Sequence, residues 1–187
     1  MIDIFKVLYR MRSLYWKILS ITVFPALFGS FGGGSVLVRP LQIRGSRNIR
    51  IGKNVIINQY AWLFADDNSK EKKNLITIGD NVYIGHFAHI AAINCISIEE
   101  NVLVADRVYI TDHNHRHGRN IDVRFSDAVS KGPVRIGKGC WIGEGACILS
   151  GVEVGEGSVI GANAVVTNSI PSNCMAAGSP AKVIKLI

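Results

Sequence analysis

The stretch from Ile136 to Val166, IGKGCWIGEGACILSGVEVGEGSVIGANAVV, decides the fold. A branched aliphatic returns at every sixth residue: Ile136, Ile142, Ile148, Val154, Ile160 and Val166. Gly follows at 137, 143, 155 and 161, and Cys140, Ala146, Val152, Ser158 and Ala164 sit four residues after the aliphatics. A period of six fits neither a helix, at 3.6, nor a half-buried strand, at 2. It fits a left-handed parallel β-helix, an all-β solenoid with three short strands per turn. The aliphatic points into the core, and the Gly is expected to accept corner conformations that a β-carbon resists.

The same spacing extends towards the N-terminus. Ile51, Ile57 and Leu63 make one turn, Ile78, Ile84 and Ile90 the next, and Ile98, Val104 and Ile110 a third. Before Ile51 the phase is unclear. Polar stretches interrupt the repeat after each third hexad, at Phe64 to Thr77, Ala91 to Ser97 and Thr111 to Arg135, so all three excursions leave from one corner. Strands of successive turns stack about 4.8 Å apart, which puts Asp66 and Asp67 about 10 Å from Asp112, His113 and His115 on one edge. Loops raised from a rigid scaffold are where chemistry usually sits.

The run Thr111-Asp112-His113-Asn114-His115-Arg116-His117 is the densest polar cluster of the chain. An imidazole near its ordinary pKa suits general-base work at neutral pH, so one member of this cluster is the expected catalytic group. His86 and His89 lie within hexads and read as wall or interface residues.

Charge divides the chain. Residues 1–53 carry nine Lys or Arg against Asp3 alone, a balance of +8, and the rest carries twelve basic and thirteen acidic residues, a balance of −1. The segment 1–35 reads as a basic amphipathic unit ahead of a β-helix domain over 36–187. Ile4, Leu8, Met11, Tyr15 and Ile18 follow one helical stripe, and Lys6, Arg10, Ser13 and Lys17 another. Two readings stand: a helix in a membrane interface, and a cap on the end of the solenoid. Pro25 and the glycines at 29 and 32–34 argue against a spanning helix, and no clean cleavage site supports a signal peptide. No nucleic-acid motif accompanies the charge. Cys95, Cys140, Cys147 and Cys174 show no metal-ligand spacing and read as free thiols, which favours a reducing cytoplasm.

From Ile49 to Ile187 the chain resembles the hexapeptide-repeat O-acetyltransferases, which include galactoside, maltose, nodulation-factor and polysaccharide-modifying enzymes. Four motifs carry the resemblance in order: Thr111 to His115, Ile136 to Gly143, Val159 to Thr167 and Ala176 to Lys185. The resemblance implies a homotrimer with acetyl-CoA along the coil between neighbours, a sugar acceptor and no metal. It implies that His113 takes the proton of the attacking hydroxyl, with a backbone N–H stabilising the oxyanion. Trp141, Ala162 and Thr167 match contacts to the pantetheine arm, Lys182 and Lys185 match positions that meet nucleotide phosphates, and Asn58 and Asp66 match acceptor-binding positions. The apolar, basic segment before Val38 and the long Asp66–Asn74 stretch depart from the small-sugar enzymes. Both lean towards a cell-surface polysaccharide or a lipid-linked precursor. Rival readings are a γ-class carbonic anhydrase with a His-bound metal, N-acetylation on the same fold, and a non-catalytic scaffold.

Overall fold

The computed structural model describes residues 4–67, 74–119, 121–123 and 126–187, with the backbone alone over 4–12. Three parallel sheets make the sides of a left-handed prism. The first face stacks Ser30–Phe31, Ile49–Ile51, Ile76–Ile78, Ile96–Ile98, Val134–Ile136 and Glu153–Val154. The second runs from Val36–Leu37 through Trp141–Ile142 and Val159–Ile160 to Cys174–Gly178, where Ala181–Leu186 folds back antiparallel. The third stacks Gln42–Arg44, Trp62–Ala65, His89–Ala92, Tyr109–Thr111, Cys147–Ile148 and Val165–Val166.

The six-residue spacing is what brings like residues into register. Ile51, Ile78, Ile98, Ile136 and Val154 pair rung on rung, as do Leu63, Ile90, Ile110, Ile148 and Val166. All are buried, so each turn adds a layer of branched side chains to one continuous core. The coil starts one turn earlier than the aliphatic pattern shows. Phe31, Leu37 and Ile43 pair with Ile51, Ile57 and Leu63, and regular pairing therefore begins ahead of residue 36. An aromatic holds the first rung, and the 3-10 turn at Ser46–Asn48 inserts two residues that break the phase.

The glycines after the aliphatics serve a different purpose from the one expected. Those at 137, 143, 155 and 161 are absent from the positive-φ positions, which fall at Gly139, Gly145, Gly151 and Gly157 instead. A Cβ on Gly143 would lie 2.6 Å from the backbone N of Ala162. Close approach of successive turns, rather than a left-handed backbone, excludes a side chain there.

The three excursions do leave from one edge, between the third and first faces. The longest folds back as a ribbon, with Asn114–His115 antiparallel to Ala128–Val129. The Lys70–Lys73 run lies outside the described residues. At the other end of the molecule, α1 (Ile4–Thr22) and α2 (Phe24–Leu27) close the coil. The Ser20 hydroxyl accepts the Leu37 N–H at 3.2 Å, and Phe24, Phe28 and Phe31 form an aromatic cluster over the first turn. Among the described residues no helix is long and apolar enough to cross a membrane.

Candidate active site

A cavity of about 650 Å³ opens beside the edge from which the excursions leave. Its wall is the outward side of the third face, because residues flanking a buried aliphatic in a strand point away from the core. Trp62 and Phe64 flank Leu63, His89 and Ala91 flank Ile90, and Tyr109 precedes Ile110. Arg44 closes the end near the first turn, and His113, His115, Asp127 and Ala128 of the long excursion overhang the other. The cavity thus spans the first four turns, on the order of 14 Å of axis.

His113 is held from behind. Its Nδ1 lies 3.1 Å from Asp112 Oδ1 and 3.1 Å from the Thr111 hydroxyl. Asp112 is fully buried and accepts the backbone N–H groups of Ile93, Asn94 and Cys95 at 2.9, 2.7 and 2.7 Å. Burial alone would push this carboxyl up, but the bonds from His113 and from three N–H groups outweigh it. They hold the Asp112 pKa below the usual carboxylate range. A carboxylate fixed at Nδ1 favours the tautomer with the proton on that nitrogen, which leaves the Nε2 lone pair as acceptor. The Ser150 hydroxyl donates to the Asp112 carbonyl at 2.5 Å, locking the turn from the rung below.

One imidazole is thus prepared as a base, and its neighbour is prepared to stay neutral. His89 stacks on Trp62 with ring centres 4.2 Å apart and tilts against Tyr109 at 5.0 Å. Burial, and then the positive charge of a protonated His113, lower its pKa. Trp62 Nε1 is buried without a hydrogen-bond partner in the single chain. The Arg44 guanidinium sits 5.4 Å over the Phe64 ring.

A family model described as bacterial transferase hexapeptide (six repeats) matches residues 133–168. A protein of Escherichia coli K12 assigned to lipopolysaccharide biosynthesis as an O-acetyl transferase, WbbJ, is 36% identical over 153 residues, covering 78% of this chain and 76% of its own length. The chain belongs to the hexapeptide-repeat acetyltransferases. A galactoside acetyltransferase solved in complex with coenzyme A superposes with a TM-score of 0.62 at 26% identity, covering 95% of this chain and 82% of that one. AntD, an N-acyltransferase from Bacillus cereus, superposes with a TM-score of 0.73 at 22% identity over 86% of this chain and 84% of that one, a likeness of fold alone.

Within this acetyltransferase the expected site residues fall into separate groups. Asp66 joins His113 on the cavity wall, as the shared edge requires. Asn58 does not line the cavity: it sits at the corner between the second and third faces, where its amide donates to the Ile84 carbonyl at 3.0 Å. Thr167 leaves the third face two turns beyond Thr111, about 10 Å down the same edge. Trp141 stands exposed on the second face, and Ala162 lies at the corner that follows it. Lys182 and Lys185 project from the terminal strand. One chain therefore keeps His113 and Trp141 on different faces. Trp62, Phe64, Tyr109, Arg44 and Asp127 were not anticipated, and His89, expected as wall, lies on the cavity wall beside His113. The signal for Trp62, His89 and Tyr109 was present: each directly precedes a third-hexad aliphatic and so must face outward.

Among the described residues no group of three or more His, Cys, Asp or Glu side chains is placed to hold a metal ion. Within a chain His86 pairs with Asp106 at the corner between the second and third faces, away from His113. None of the four cysteines forms a disulfide, Cys140 and Cys174 are buried, and burial pushes the Cys140 thiol up.

Proposed function

We propose that the chain transfers the acetyl group of acetyl-CoA to a sugar hydroxyl of a cell-surface polysaccharide or its lipid-linked precursor, in the cytoplasm, with His113 as general base. The observation that carries this reading is the pairing of His113 Nδ1 with buried, ionised Asp112 on the wall of the cavity. Nε2 removes the proton as the hydroxyl oxygen attacks the thioester carbonyl. A backbone N–H stabilises the oxyanion, and collapse expels CoA thiolate, which takes the proton back from His113. Holding both substrates together supplies much of the acceleration, so no covalent enzyme intermediate is needed.

The two substrates approach from opposite directions. The acceptor enters the cavity over the first four turns, with Asp66, Trp62 and His89 beside it. Acetyl-CoA lies along the regular turns, meeting Trp141, Ala162 and Thr167, with Lys182 and Lys185 at its phosphates. A homotrimer completes the site. The outward side of the second face carries Ile56, Tyr83, Leu103 and Trp141, all exposed in the single chain, whereas the first face carries Arg50, Thr77, Ser97 and Arg135. An apolar row of that length calls for a cover, and a neighbour laid on it brings its own edge towards Trp141.

The test has two parts. Mass spectrometry of surface glycans from cells with and without the protein should show acetyl esters lost with it. Purified His113→Ala should keep its assembly state but lose acceptor-dependent CoA release. Wild-type turnover by that variant would remove the mechanism.

A further inference from the structure

The helix that closes the coil has two apolar sides, and the coil uses only one. Towards the coil, Ser20 is 2% exposed, and Trp16 and Leu19 are half-buried. Away from it, Leu14, Ile18 and Ile21 follow the i, i+4, i+7 spacing of a single helix face and are 58%, 50% and 73% exposed. Tyr15 widens this face, and Val23 and Leu27 extend it past the end of α1. Lys17 is exposed on its flank. The helix lies in the part of the chain whose balance is +8, ahead of a remainder at −1.

We infer that α1 docks the protein on an anionic phospholipid surface, with Leu14, Ile18 and Ile21 entering the headgroup boundary. Two observations select this occupant over a second protein surface. A continuous apolar helix face beside Tyr15 and Lys17 is the pattern of an interfacial helix. The basic excess is confined to the same end, where each Lys or Arg near an anionic leaflet adds to the attraction. The coil runs from this end, so docking holds the Arg44 mouth of the cavity towards the bilayer. Resting on the proposed function, this presents the cavity to a sugar carried on a membrane lipid.

Docking is read without any acetyl transfer, so its failure and that of the proposed chemistry are distinguishable. Full-length protein is sedimented with phosphatidylcholine–phosphatidylglycerol vesicles and with pure phosphatidylcholine vesicles. Binding to the mixed vesicles should exceed binding to the neutral ones by at least about tenfold, and added salt should weaken it. Ile18→Glu with Ile21→Glu should reduce binding by at least about tenfold, since carboxylates on the inserted face lose the apolar burial and are repelled by anionic headgroups. Its thermal midpoint and assembly mass should stay at wild-type values, because these side chains point away from the coil. Ile18→Ser should give an intermediate loss. Absence of wild-type binding, or equal binding by the double variant, overturns the proposal. So does a fall in assembly mass in the double variant, which would assign this face to a second copy of the chain.

Discussion

Two edges of the prism are built on the same spacing and behave differently. Along the edge between the first and second faces, Asn54, Asn81 and Asn101 all adopt positive φ, and their amides bond in a column at 3.3 and 3.2 Å. Gly139 and Gly157 continue that conformation through the later turns. Nothing is inserted on this edge. Along the edge between the third and first faces the chain leaves four times, counting the short 3-10 insertion at Ser46–Asn48, and the backbone N–H groups freed there need new acceptors. Asp112 supplies acceptors for three of them, and the charge so buried is then available to His113. The regular edge satisfies itself with repeated residues. The interrupted edge is held by Asp112, the one buried carboxylate among the described residues, and the candidate chemistry sits where the repeat had to be repaired.

The largest effect should come from breaking the interrupted edge at its base. Replacing His113 by Ala should lower acceptor-dependent CoA release by on the order of a hundredfold to ten-thousandfold. The urea midpoint should fall modestly, since buried Asp112 loses the His113 bond but keeps its three backbone N–H donors. Asp112→Asn is the sharper comparison. It should lower kcat by at least about tenfold through misorientation of His113. It should also cost about 1–3 kcal/mol of stability, measured by urea unfolding, because the three N–H groups lose a charged acceptor. The pH dependence has a definite sign. The folded-state pKa of Asp112 is depressed, so its stabilisation is present above the ordinary carboxylate range. It is lost as pH falls through the lower, folded-state value. Wild-type protein should therefore lose more stability than Asp112→Asn on acidification below the ordinary carboxylate range.

The regular parts of this molecule were legible because the period assigns each residue a face. Ile136, Ile142 and Ile148 name three sides, and the excursion edge follows from phase alone. The first turn was hidden because Phe31 breaks the aliphatic pattern and Ser46–Asn48 shifts the count. His113 was visible as part of a polar cluster, but its bonding to Asp112, and Asp112's to Ile93, Asn94 and Cys95, depends on two excursions meeting across a rung. No local pattern encodes such a meeting. The two-sidedness of α1 was equally hidden. Its stripe suggested both a cap and an interfacial helix, and the structure shows that Ser20 serves the cap while Ile18 remains exposed.

The regular edge can be broken in two ways that separate its causes. Gly143→Ala places a Cβ against the backbone of the next turn and should cost about 1–3 kcal/mol through forced separation of rungs. Asn81 tests the smaller contribution. Asn81→Ala keeps a β-carbon at positive φ without the local hydrogen bonding that makes Asn tolerable there, a cost of about 1–2 kcal/mol. Asn81→Gly removes that conformational cost and loses only its two exposed amide bonds, for which water competes, so its urea midpoint should shift by less than about 1 kcal/mol in stability. Both variants should retain wild-type CoA release, since this edge is remote from the cavity. If Asn81→Gly proves as unstable as Asn81→Ala, the amide column rather than the left-handed backbone preference holds the regular edge. The two edges would then share one principle, side chains satisfying groups across rungs, and differ only in whether the side chain is neutral or charged.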